Sequence, residues 1–161
     1  MQRKLALTAV LAVALALTGY AQKKDFSGTW AVDQVATDAA AATAPARPAG
    51  SGGGGRGLGQ GPMTIKQTAD SITLTRQGRD GAVTATYRLD GVEEVIVLGA
   101  AGDVKAKTKW DGDKIVIEST HSENGAPVTT WLTLQLDEKG TLWAEQKNPN
   151  ATFRRAYKKA S

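Results

Sequence analysis

From residue 63 onward, apolar and polar positions alternate with period two almost to the end of the chain. Val104, Ala106, Thr108 and Trp110 fall on one face of a run whose other face carries Lys105, Lys107 and Lys109. That alternation marks a half-buried β-strand. The same reading predicts strands over Met63–Thr68, Ser71–Gln77, Val83–Leu89, Glu94–Leu98, Val104–Trp110, Lys114–Thr120, Val128–Leu136, Thr141–Lys147 and Thr152–Tyr157, after a first strand at Phe26–Val32. Asp90-Gly91, Asp111-Gly112 and Glu123-Asn124-Gly125 stand between runs, and Asp-Gly or Asn-Gly in that place signals a hairpin. An all-β fold follows. It is expected to be an antiparallel up-and-down β-barrel of roughly 8 to 10 strands, because a flat sheet that wide would leave long open edges.

Two segments depart from this pattern. Residues 33–62 are of low complexity, with alanines at 39–42, Pro45, Pro48 and glycines at 52–55. A short helix is expected within Asp33–Ala44, where alanine favours it and Pro45 ends it; the glycine-rich remainder is expected to be a disordered loop. Gly52, Gly54 and Gly57 satisfy a phosphate-loop spacing, but no strand leads into them and no Gly-Lys-Ser/Thr follows. At the start, Arg3-Lys4 precedes an unbroken run from Leu5 to Leu17 and small residues at Gly19 and Ala21. This is the form of a secretory signal peptide, residues 1–21, with cleavage expected after Ala21. The run is shorter than the roughly 18 to 20 residues of a spanning helix. A secreted or periplasmic barrel domain, residues 22–161, with no membrane span after cleavage, is the expected product.

Composition removes several chemistries. The chain has no cysteine and one histidine, which excludes disulfides, thiolate zinc sites, a cysteine nucleophile and histidine-rich metal clusters. The net charge is +4, and loss of Arg3 and Lys4 lowers it to +2, too small and too dispersed for a nucleic-acid binder. Glu93 and Glu94 are adjacent, so a strand sends them to opposite faces and they cannot form an acid/base pair. His121 has no partner arrangement in sequence and reads as a surface histidine. No catalytic constellation, metal site or cofactor is expected.

Phe26-Ser27-Gly28-Thr29-Trp30 resembles the Gly-x-Trp opening of lipocalins and intracellular fatty-acid-binding proteins. Phe153-Arg154-Arg155-Ala156-Tyr157 is similar to the Arg-x-Tyr closing strand of the fatty-acid-binding proteins, and Lys109–Ile117 looks like their later hairpin. The chain is thus identified as a bacterial, secreted relative of these calycin-type barrels. The resemblance implies a cavity for a small apolar or carboxylate ligand, with Arg155 and Tyr157 facing inward to hold the carboxylate and Trp30 beside it. Parity agrees, since Phe153, Arg155 and Tyr157 share one face. A buried arginine needs an anionic partner, and a guanidinium fork with a phenol supplies donors for one. The other arginine of that family's pattern has no counterpart in Val128–Leu136. Lipocalins offer a structural alternative, in which Arg154 or Arg155 stacks on Trp30 to close the base.

Trp131 and Trp143 sit on neighbouring predicted strands. If the Glu138-Lys139-Gly140 turn carries a glycine bulge, both rings face outward and form a surface for a protein or glycan partner. Two readings of function follow. One is an exported, non-catalytic, monomeric binder of an apolar or fatty-acid-like ligand. The other is a filled barrel acting as a structural or interaction module of the cell envelope.

Overall fold

The computed structural model describes residues 23–42, 61–78, 81–98 and 102–160. The expected signal peptide with its cut after Ala21, and most of the Ala/Gly-rich segment (43–60), lie outside them. The described chain forms β1 (Gly28–Val32), α1 (Gln34–Ala42), β2 (Met63–Gln67), β3 (Ser71–Gly78), β4 (Gly81–Arg88) and β5 (Asp90–Val97). It continues through β6 (Asp103–Asp111), β7 (Lys114–Glu123), β8 (Ala126–Leu136), β9 (Leu142–Lys147) and β10 (Thr152–Lys159). The ten strands make one antiparallel sheet in the order β4-β3-β2-β1-β10-β9-β8-β7-β6-β5. It curls until β4 returns against β5 and β6. A nearly closed barrel results, as the alternation requires.

The inward faces follow from register. Ile65 opposes Leu74, which opposes Ala85; Ile117 opposes Leu132; Leu134 opposes Ala144. These residues are buried, while Lys105, Lys107 and Lys109 face solvent. The lysines lie opposite Glu93, Glu118 and Asp90 among others, so the stripe is locally neutralised rather than a basic patch. Glu93 and Glu94 do fall on opposite faces, pairing with Lys107 and Ala106 respectively.

Turn chemistry fixes the hairpins. Asn124 and Gly125 both have positive φ, 52° and 81°, as a two-residue Asn-Gly loop between twisted strands demands. The expected Asp90-Gly91 hairpin does not form, because β4 and β5 share no ladder. Asp90 instead accepts the Val92 N–H at 2.9 Å, the Arg88 N–H goes to the Glu94 carboxylate at 2.7 Å, and the Leu89 N–H goes to the Asp70 carbonyl at 2.8 Å. A register irregularity between Asp90 and Glu93 follows. The β4–β5 seam is therefore sewn by side chains, including Arg88 to Glu94 at 3.3 Å and to Asp90 at 3.6 Å.

Segment 33–62 is not loop throughout, since its first part forms α1. Asp33 caps the helix through the Ala36 N–H at 3.0 Å. Thr37 Oγ1 accepts the Ala156 N–H at 3.0 Å, so the helix covers the edge of β10 beyond the end of β1.

Candidate functional site

The two ends of the barrel differ. At the base, residues 23–27 cross under the sheet. The buried Phe26 donates its N–H to Gln67 at 3.0 Å and tilts against Trp110 with ring centroids 5.9 Å apart. The Trp30 indole N–H reaches the Phe26 carbonyl at 2.9 Å, and Lys24 bonds the Leu136 carbonyl and pairs with Asp113 at 3.0 Å. Lys24 also holds the Asp113 carboxyl below its ordinary value. Aromatic rings and leucines fill this end.

Towards the rim, where α1 and the β3–β4, β7–β8 and β9–β10 turns lie, the inward positions become smaller and more polar. Ala85, Ala106, Ser119, Thr130 and Ala144 share this face by register. Arg155 opposes Ala144 and Tyr157 opposes Leu142 on β10. The side-chain parity predicted from sequence therefore holds, and both point inward. The Arg155 guanidinium donates a hydrogen bond to the Tyr157 hydroxyl. Burial pushes the Tyr157 phenol above its ordinary value of 10.0, against the opposing pull of Arg155 and Arg76. It stays a neutral donor at physiological pH.

Arg76 is the residue that sequence reasoning missed. It lies on β3 opposite the buried Met63 and next to the inward Leu74. Its charge acts on both Tyr157 and the buried Tyr87, whose phenol burial also raises. The second arginine absent from Val128–Leu136 is thus supplied from the other side of β1. The signal was present: Ile72, Leu74 and Arg76 share one face of a predicted strand, and a charge on an apolar face needs an explanation. The site accordingly consists of Arg155, Tyr157, Arg76 and Tyr87, with apolar side chains below.

The remaining candidates fall elsewhere. Trp30 belongs to the base and is only 2% exposed. Neither Arg154 nor Arg155 stacks on it; the cation over its ring is Lys159, at 5.8 Å. Arg154 points outward and covers Trp143 at 4.2 Å. Trp131 and Trp143 both face outward, because Leu136 opposes Leu142 across a turn with Gly140 at φ 77°. They do not form one surface. Trp131 opposes Lys147, four residues along β9 from Trp143, a separation of about 13 Å. Each indole N–H is already taken, by Glu118 at 3.3 Å and Asp137 at 3.1 Å. His121 opposes Val128 near the rim and is half-buried. A shallow depression of about 420 Å³ beside it, lined by Lys105, Asp103 and Ser122 among others, is open and mostly outside the barrel.

Among the described residues no cluster of acids and histidine has metal-binding geometry, and no helix is long and apolar enough to cross a membrane. No family model and no curated protein matches the chain. Solved structures do share its fold. A REP1-NXSQ fatty acid transporter aligns with 84% of this chain and 96% of its own, at TM-score 0.54 and 16% identity. Apo lipid binding protein 8 of Caenorhabditis elegans aligns with 84% of this chain and 95% of its own, at TM-score 0.57 and 13% identity. The fold is that of the fatty-acid- and lipid-binding, calycin-like barrels.

Proposed function

We propose that the protein is an exported, non-catalytic carrier or sensor of a small ligand with an apolar body and an acidic head. The observation that carries this reading is the inward Arg155, hydrogen-bonded to Tyr157 above a floor of apolar side chains. A desolvated guanidinium and a neutral phenol offer only donors, which suits an anionic head. The lipid-binding names of the structural neighbours support the apolar body. Export rests on the signal-like pattern of residues 1–21.

A second reading, a filled barrel without a small ligand, draws on the base, where Phe26, Trp30, Leu134 and Leu142 are at most 2% exposed. Titration with a fluorescent long-chain carboxylate, beside Arg155→Met, separates the two. Micromolar saturable binding, lost in a variant that melts like the parent, is expected of a carrier. No binding, with a variant that melts markedly lower, makes Arg155 a structural clasp.

A further inference from the structure

We propose that Arg76 and Arg155 together form a two-guanidinium site for a dianionic headgroup, so that the barrel prefers a single-chain alkyl phosphate to a fatty acid. This rests on the carrier reading above and narrows its ligand class.

The argument begins with placement. Arg76 stands on β3 and Arg155 on β10, and the strand between β2 and β10, β1, ends at Val32 opposite Tyr157. The two arginines thus flank the gap that opens where β1 stops, with the Tyr157 hydroxyl within reach of both charges. Tyr87, paired with Ile72 one rung below, lies within the field of Arg76. Every one of these four groups donates, and the two phenols remain protonated at neutral pH.

Charge balance then decides between headgroups. Among the described strand residues, register turns two carboxylates inward, Glu94 and Glu123. Glu123 is exposed at the tip of the β7–β8 turn. Glu94 is committed to Arg88, through both its guanidinium and its backbone N–H. None of the ion pairs among the described residues includes Arg76. A monocarboxylate brings one negative charge and two acceptor oxygens to two guanidiniums. It leaves a positive charge under-compensated in a partly dry interior, which is costly. A phosphate monoester brings close to two charges at neutral pH and three strong acceptor oxygens, enough for one fork from each arginine. The apolar wall formed by Ile65, Leu74 and Leu134 takes the alkyl chain.

The test compares dodecyl phosphate with laurate on the purified protein at about pH 7.5. Dodecyl phosphate is expected to bind at least about tenfold more tightly. Acidification to about pH 5.5 removes the second phosphate charge, whose pKa is near 6, and the preference should largely vanish. His121, inward near the rim, gains charge over the same range, but that strengthens both anions, and the laurate arm measures it. Tyr87, Tyr157 and both arginines keep their charge states throughout, and Glu94 remains paired with Arg88. Arg76→Gln should abolish the preference while changing laurate affinity by no more than about threefold.

Laurate binding as tight as dodecyl phosphate, or a preference that survives Arg76→Gln, overturns this inference and leaves the carrier reading intact. If neither ligand binds, both fall. Should Arg76→Gln fail to fold, the ligand comparison and its pH dependence on the unaltered protein still decide. Inorganic phosphate alone separates headgroup from free ion. It is expected to leave bound dodecyl phosphate in place at millimolar concentration, and displacement at micromolar levels overturns the preference for an alkyl phosphate.

Discussion

Thr108 is 1% exposed, faces the interior beside Ala106, and its hydroxyl has no hydrogen-bond partner. A buried hydroxyl left in that state costs about 1–3 kcal/mol. Thr108→Val keeps the shape and removes the polar atom, so it should stabilise the protein by about 1 kcal/mol, read as a higher midpoint in urea. An unchanged or lower midpoint would mean that water or ligand satisfies the hydroxyl. The two buried tyrosines set a pH limit of the opposite kind. Their folded pKa values lie above the ordinary 10.0, so folding favours the neutral phenol. That contribution is complete below the unfolded value and is lost as pH rises through the folded ones. Thermal midpoints should therefore fall above about pH 10, with tyrosinate absorbance appearing late and together with unfolding. Arg155 and Tyr157 were legible in sequence because a charge and a phenol shared parity with Phe153. Arg76 obeyed the same rule on β3. It escaped notice because the family pattern directed attention to Val128–Leu136.

Hairpin turns were the most legible elements, since Asn124-Gly125 carries its geometry in its residues. Asp90-Gly91 has the same composition and makes no hairpin, because side chains at Asp90 and Glu94 capture the backbone N–H groups that a ladder would use. No local pattern reveals that competition; it depends on Arg88 and Glu94 meeting across six residues of chain. The seam's consequence is dynamic. Backbone groups on the facing edges of β4 and β5 lack ladder partners, so they should exchange amide hydrogen faster than those of the β7–β8 ladder, which spans Lys114–Glu123. Hydrogen exchange with mass spectrometry reads this directly, and uniform protection around the barrel would contradict it. At the opposite edge, α1 substitutes for a strand. Thr37→Val strands the Ala156 N–H, and a loss of about 1–2 kcal/mol is expected. A chemical denaturation curve unchanged from the parent would show that α1 adds nothing to β10.

At the scale of the whole molecule, sequence order and sheet order disagree in two places only. β4 and β5 are consecutive without a ladder, and β1 and β10 share a ladder although they stand at opposite ends of the chain. The barrel is thus a linear meander, β5 through β10 and then β1 through β4, whose covalent break has been moved. Closing the β1–β10 ladder requires the two ends of the domain to meet, with Ala160 donating its N–H to the Thr29 carbonyl at 2.8 Å. Such distant pairing slows folding, because loop entropy is lost before the contacts form. A circular permutant tests the point. Joining Ser161 to Lys23 through a short Gly/Ser linker and opening the chain between Leu89 and Asp90 makes every ladder a pairing of consecutive strands. The new termini fall in the seam, where no ladder is lost, though the Arg88–Glu94 clasp is freed from its short loop. The permutant should keep a cooperative melt and refold several-fold faster than the parent in stopped-flow measurements, with the difference confined to the folding limb. A permutant that folds more slowly, or that melts without cooperativity, would show that the β4–β5 connection itself organises the barrel.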